Sequence, residues 1–283
     1  MRELDKIFET VAEVAPHISS GMLHRREYVG EENPSSEKQM EADVWANELI
    51  KEELTSLDCV GQYASEEEES VTNCGKGVSV SVDPLDGSSN IPTNNLVGTI
   101  VGVYDGKLPC SGENLVGAFY IVYGPLTSAI KAENGQVDEF VIEERQGDQI
   151  KIVKVGEDLK LSDPAVYGFG GNKGWSDGFR GFENKISKRL KLRYGGSLVG
   201  DVNQVIHHGG LFGYPAKESA PEGKYRLIFE ANPIGFIFET LKNGSSTDVE
   251  NSILGIEPEE LHERTPFFVG NESEVERLKD RLM

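Results

Sequence analysis

The chain of 283 residues carries 48 acidic against 28 basic side chains, a formal net charge of -20, which argues against a nucleic-acid backbone or an anionic membrane surface as its partner. With 37% hydrophobic residues and no run near the ~20 apolar residues of a membrane helix, it reads as a globular, cytoplasmic protein. Its length allows two domains or one large α/β unit. The N-terminal MRELDKIFET is charged from its second residue and does not read as a secretory signal. Cys59, Cys74 and Cys110 lack CxxC spacing and are expected to be reduced and non-ligating.

In residues 4–29, Leu4, Ile7, Val11, Val14, Ile18 and Leu23 recur near helical spacing, predicting an amphipathic helix kinked at Pro16. His17, His24, Arg25 and Arg26 read as solvated positions. A loop signal, GEENPSS, precedes a second predicted helix over 37–57. The apolar stretch DCVGQYAS then runs into four acids, residues 66–69, which composition alone assigns to a solvated loop.

The stretch VSVSVDPLDGSSNI, 78–91, is the most informative in the chain. Val78, Val80 and Val82 alternate with serines, predicting a strand with one buried face. Pro84 fixes its own φ and pushes Asp83 into an extended conformation, so Asp83 and Asp86 can turn towards one point beyond the strand end. Such a pair suits a hard cation. Gly87, Ser88, Ser89 and Asn90 offer N–H groups and hydroxyls to an anion, and Mg²⁺ commonly joins one or two carboxylates to phosphate oxygens. The plainer alternative is a turn, which these residue types also favour.

Strands follow over 96–104, 114–125, 126–144 and 150–159, with a hairpin turn at Asp105-Gly106. Residues 160–178 turn rich in Gly, Asp and Pro, which divides the chain into an N-terminal domain, 1–158, and a C-terminal domain, 159–283. GFGGNKG lacks the spacing of a dinucleotide fingerprint. Residues 189–208 read as a strand, a Gly-Gly turn and a helix, and His207-His208 lack metal-pair spacing. In GKYRLIFEANP, Lys224, Arg226 and Phe229-Glu230 suggest an alternating strand, with Asn232-Pro233 opening a helix. Glu230 is a lone acid in an apolar run; burying it unpaired is expensive, so a cation beside it is physically attractive.

The octet DPLDGSSN and the stretch GKYRLIFEANP, in that order, make the chain similar to class I fructose-1,6-bisphosphatases. That family lies within the lithium-sensitive metal-dependent phosphatase superfamily, with the inositol monophosphatases; sedoheptulose-1,7-bisphosphatases look similar too. The resemblance spans nearly the whole chain. It implies an α/β fold, a layered α-β-α-β-α sandwich with two mixed sheets, in a homotetramer or alternatively a homodimer.

The implied activity is Mg²⁺-dependent removal of the 1-phosphate of fructose 1,6-bisphosphate, a step of gluconeogenesis. The resemblance assigns two or three Mg²⁺, replaceable by Mn²⁺ or Zn²⁺, to Glu66, Asp83, Asp86, Glu230, the Leu85 carbonyl and Glu37, where the family usually has Asp. It gives Asp43 and Glu67 the water, and Asp86, Gly87, Ser88, Ser89 and Asn90 the phosphoryl group. It gives Asn172, Tyr194, Tyr214 and Lys224 the 6-phosphate, with Arg193 reaching into a neighbouring subunit. Trp175 stands where the family has Tyr and could only donate through its indole N–H. Gly77-Val78 replaces the family's Lys-Tyr contact to AMP, and most of the extension that binds this nucleotide is missing, so AMP inhibition is expected to be weak or absent. The competing functions are a sedoheptulose-1,7-bisphosphatase, an inositol monophosphatase and an inactive phosphate-binding regulator.

Overall fold

The computed structural model describes residues 2–34, 38–145, 149–171 and 173–283. Glu37 and Asn172, both given roles by resemblance, lie outside them. In chain order the first part contains α1 (Glu3–Gly21), β1 (Tyr28–Glu32), β2 (Lys38–Met40), α2 (Glu41–Thr55), β3 (Val60–Ser65), β4 (Thr72–Asn73), β5 (Val78–Asp86) and β6 (Val97–Tyr104). After these come β7 (Leu115–Tyr123), β8 (Thr127–Glu133), β9 (Gln136–Arg145) and β10 (Gln149–Gly156). The second part has β11 (Val166–Phe169), α3 (Asp177–Ile186), β12 (Lys191–Leu192), α4 (Leu198–His208), β13 (Gly210–Tyr214) and β14 (Tyr225–Arg226). It ends with α5 (Asn232–Thr240), β15 (Gly244–Thr247), β16 (Arg264–Thr265), β17 (Phe267–Asn271) and α6 (Glu272–Leu282).

Two mixed sheets organise these elements. The larger runs β10-β9-β8-β7-β6-β5-β3-β4, with β3 and β5 parallel; the smaller runs β12-β11-β13-β17-β15. Apolar side chains of α1 and α2 pack with Val80, Val82, Val101 and Phe119 on one face of the larger sheet. On its other face Ile100, Tyr120 and Ile130 meet Val199, Val202, Ile234 and Ile237 of α4 and α5. Those two helices also cover Phe212 and Val269 of the smaller sheet, whose far side packs through Tyr167, Leu211 and Phe268 against Phe179 of α3 and Leu278 of α6. The result is the expected α-β-α-β-α sandwich.

Several local readings change. α1 stops at Gly21, and residues 28–32 form a strand paired with β2, so the first helix is shorter than 4–29. Gly21 keeps a helical backbone, lies so close to the Trp45 ring that a Cβ would come within 2.0 Å of it, and leads into a short 3-10 turn over Met22–His24. α2 begins at Glu41, where the Asp43 carboxylate accepts the Met40 N–H at 2.7 Å and caps the helix. Every residue of β5 is buried, on both faces, because helices cover both sides of the sheet. Ser79 and Ser81 are therefore satisfied internally, by Gln62 Oε1 at 3.1 Å and by the Ile228 carbonyl at 3.0 Å. β6 and β7 pair through a ten-residue connection, 105–114, longer than the hairpin turn predicted at Asp105-Gly106.

The alternating strand expected through Lys224 and Glu230 covers only Tyr225–Arg226, after which Leu227–Ala231 coil into a π-helical turn. Residues 227–235 are buried all round, so the period-two signal had no solvent face to report.

The terminal helix is anchored by Glu274, whose side chain is buried and accepts both Arg189 donors, at 3.0 and 2.7 Å. Burial pushes this carboxyl up, but the Arg189 hydrogen bonds and the charges of Arg189 and Arg277 outweigh it and hold it below the usual range. A depressed folded-state pKa contributes stability that is fully present above the unfolded value near 4.5 and is lost as pH falls through the folded one. Arg189→Met is expected to lower stability at pH 7 by about 2 kcal/mol and to blunt the loss of stability on acidification. Urea melts at pH 7 and pH 4 check both statements.

Candidate active site

The parallel pairing of β3 with β5 sets Ser65 beside Val82, and the Glu66 N–H donates to the Val82 carbonyl at 3.0 Å. Glu66 thus leaves one strand end as Asp83 leaves the next. Around Pro84 the Asp83 Oδ1 accepts the Leu85 N–H at 3.0 Å, and the pairing of β5 with β6 shifts register between Asp83 and Asp86. That bulge turns Asp86 towards α4, where its Oδ2 accepts from Ser197 Oγ at 2.7 Å and from the Val199 N–H at 2.8 Å. A carboxylate at a helix N-terminus is favoured by the orphan amides and the dipole.

Glu230 arrives from the second half of the chain. The π-helical turn curls it back so that its Oε2 accepts the Arg226 N–H at 2.7 Å. One carboxylate oxygen from each of Glu66, Asp83 and Glu230 lies within 4.8 Å of the other two, and all three residues are buried. Arg226, 2% exposed, places Nη1 2.7 Å from Glu66 Oε1 and 3.6 Å from Glu230 Oε2. Next to this group Glu67 Oε2 accepts from Gln39 Nε2 at 2.5 Å.

Crowding raises the affinity of these acids for protons. Burial, followed by the charges of Glu66, Asp86 and Glu230, pushes Asp83 well above the usual carboxylate range. Glu230 rises to about 8, from burial and the Glu66 charge against the pull of Arg226. Glu67 rises to about 7, from burial and the Asp43 charge against hydrogen bonds from Gln39 and Asn33. Asp86 is raised by burial, with the Val199 N–H and Ser197 hydroxyl opposing it. One arginine does not neutralise so many acids, and the shortfall, together with all-oxygen donors, fits a hard divalent cation.

These acids line a cavity of about 250 Å³, together with Asp43, Leu85, Gly87, Ser88, Ser89 and Lys224. Gly87 is required there: its φ is +75°, and a Cβ would lie 2.5 Å from Ser197 Cβ. Asn90 turns away, donating its amide to the carbonyls of Leu96 and Gly195, both at 3.1 Å. Arg193 and Tyr194 border a neighbouring depression with Gly195, Ser197 and Asp201. Tyr214 sits beside Lys224, whose Nζ is 5.6 Å from its ring centroid. Trp175 donates its indole N–H to the Gly170 carbonyl at 3.0 Å and meets Phe179 edge-to-face.

The geometry adds residues that spacing did not reveal. Asn33, Gln39 and Arg226 line the cavity, and Ser197 holds Asp86. Behind the acids, Glu68 receives Asn47 Nδ2 at 3.0 Å and Lys51 Nζ at 2.8 Å, while His262 Nε2 lies 2.8 Å from its carbonyl. Glu68 is therefore clamped to α2 on one side and to His262 on the other, while Glu69 stays exposed. Composition had read the whole run as solvated.

A family model described as the fructose-1,6-bisphosphatase N-terminal domain matches residues 4–154, and its C-terminal counterpart matches residues 162–283. A class 1 fructose-1,6-bisphosphatase of Natronomonas pharaonis is 50% identical over 99% of this chain and 98% of its own length. Another, from Halobacterium salinarum, is 43% identical over 99% and 97%. The crystal structure of Leishmania major fructose-1,6-bisphosphatase in holo form superposes with a TM-score of 0.89 at 28% identity, covering 97% of this chain and 94% of that one. No helix among the described residues is long and apolar enough to cross a membrane. With both halves matched, in order and nearly end to end, the chain belongs to the class 1 fructose-1,6-bisphosphatase family.

Proposed function

We propose that the protein hydrolyses the 1-phosphate of fructose 1,6-bisphosphate, giving fructose 6-phosphate and inorganic phosphate, as a Mg²⁺-dependent cytoplasmic enzyme of gluconeogenesis. The carrying observation is the convergence of buried carboxylates from three separated segments on one point, with Lys224 on the same cavity wall. Glu66, Asp83, Asp86, Glu230 and the Leu85 carbonyl would hold two or three Mg²⁺, or Mn²⁺ or Zn²⁺ in their place. Bound there, the ions would neutralise the phosphate and lower the pKa of a water molecule.

The chain's own residues supply the rest. Glu67, pushed up to about 7, takes the proton from the attacking water on the carboxylate whose Oε2 is already held by Gln39, and the Asp43 charge strengthens it as a base. Gly87, Ser88 and Ser89 orient the phosphoryl group from the turn where β5 ends. Lys224, Tyr194 and Tyr214 bind the 6-phosphate, with Arg193 offered across the subunit interface of a homotetramer. Asn90 acts by bracing the loop before β6, through its bonds to Leu96 and Gly195.

Phosphate release from fructose 1,6-bisphosphate, sedoheptulose 1,7-bisphosphate and inositol 1-phosphate, with and without Mg²⁺, tests the reading. The expected result is turnover of the fructose ester with Mg²⁺ and none after chelation. Inert protein, or a preference for inositol phosphate, overturns it.

A further inference from the structure

Lys217 is absent from the lining of the cavity that holds the acids, yet it touches Tyr214, the neighbour of the cavity-lining Lys224. Its Nζ donates to the Tyr214 hydroxyl oxygen at 3.0 Å and lies 4.7 Å from that ring's centroid. Lys224 lies 5.6 Å from the same centroid and also lines the acidic cavity, so the Tyr214 ring has two ammonium groups beside it. The floor is Gly170-Gly171, just past β11. A Cβ on Gly170 would fall 2.2 Å from the Tyr214 ring and 2.9 Å from the Tyr194 hydroxyl; one on Gly171 would fall 2.6 Å from Lys217 Nζ. Two phenols and one ammonium thus converge on backbone that only glycine leaves open.

The backbone of Lys217 is fixed by a tight turn, its N–H donating to the Ala220 carbonyl at 3.1 Å and its carbonyl accepting the Ala220 N–H at 3.0 Å. Among the described residues it forms no salt bridge, so one ammonium N–H is spent on a neutral phenol and two are left over. Because the phenol oxygen accepts from Lys217, the phenol's own proton is free to be donated, and an ammonium behind it makes it a stronger donor. In a chain of net charge -20, two ammonium groups 4.7 and 5.6 Å from one phenol ring, one of them polarising its hydroxyl, favour a dianion.

We propose that Lys217, acting directly and through Tyr214, binds the phosphate of the sugar that is not cleaved, from within the same chain, and so sets the preference for doubly over singly phosphorylated sugars. This rests on the sugar-bisphosphatase reading.

The test uses the Mg²⁺-loaded enzyme, the single variants Lys217→Met, Lys217→Arg and Tyr214→Phe, and the double variant combining Lys217→Met with Tyr214→Phe. The measurements are kcat and KM on fructose 1,6-bisphosphate and on fructose 1-phosphate, with fructose 6-phosphate binding by calorimetry. Lys217→Met should raise the KM for the bisphosphate and the Kd for fructose 6-phosphate roughly tenfold, with kcat within about twofold and the KM for fructose 1-phosphate unmoved. Lys217→Arg should restore most of the loss. Tyr214→Phe combined with Lys217→Met should cost less than the product of the single losses. An unchanged bisphosphate KM in an active wild-type background overturns the inference alone, as does an equal rise for fructose 1-phosphate. A wild-type enzyme that releases no phosphate from the bisphosphate removes the underlying reading and the inference with it.

Discussion

Asp86→Ala should lower kcat on fructose 1,6-bisphosphate by at least about 10³ while the protein stays folded. Asp86 is the point where the bulge of β5 meets the first turn of α4, and its carboxylate would serve the cation while Ser197 Oγ and the Val199 N–H bind its Oδ2. Removing it leaves one helix amide without an acceptor, worth about 1 kcal/mol. It also deletes one negative charge that raises Asp83. The two effects oppose each other, so the melting temperature of the metal-stripped protein should move by only a few degrees. Asp86→Asn keeps an acceptor for α4 and removes the charge; it should be equally inactive. Steady-state rates with saturating Mg²⁺, beside thermal melts in chelator, separate catalysis from folding, and a variant that keeps even a tenth of the wild-type kcat would exclude Asp86 from the chemistry.

The second large effect concerns stability. Arg226 is buried among Glu66, Glu230 and Asp83 and is within 4 Å of the first two. Replacing it with Met leaves those carboxylates without that cation, a loss of about 3–5 kcal/mol in the metal-stripped protein at pH 8. The pH dependence follows from the direction of the shifts. Glu230 and Glu67 titrate near 8 and 7 when folded, above their unfolded value of 4.5, so the folded state holds more protons than the unfolded one between these values. Stability therefore falls as pH rises across that window, and losing Arg226 steepens the fall. At pH 5 most of these groups are protonated and the variant should approach the wild type. Added Mg²⁺ should recover part of the loss at pH 8 by binding only the folded form. Denaturant melts at pH 5 and pH 8 that give the same small difference would refute this account.

Part of the cavity lining was legible from local signals. Asp83, Pro84 and Asp86 carry their own geometry in three residues, and Glu230 announced itself as an acid in an apolar run. What escaped were side chains whose roles depend on distant contacts. Ser197 meets Asp86 across 111 positions, Gln39 meets Glu67 across 28, and nothing in either neighbourhood marks them. Arg226 was visible as a charge and does end strand β14, but spacing carried that strand on to Glu230, whereas the π-helical turn brings Glu230 back to the Arg226 amide. Of the acids of residues 66–69 composition read only Glu69 correctly as solvated, since a run of charges looks the same whether water surrounds it or, as at Glu68, Asn47, Lys51 and His262 do. The five layers were harder to read than the motifs. The Val and Ser alternation of β5 pointed to one buried face, yet both faces are covered, because its serines are satisfied by Gln62 and the Ile228 carbonyl rather than by water.

The middle layer of the sandwich has a consequence for how the molecule could be taken apart. Because α4 and α5 pack on both sheets, severing the backbone between Gly156 and Val166 would expose apolar surface on each piece and separate Glu66 and Asp83 from Glu230. Neither fragment alone would carry a complete set of ligands. Recovery of phosphatase turnover on mixing two such fragments would therefore report reassembly of the interface itself, making the catalytic centre a built-in sensor of whether the halves have docked.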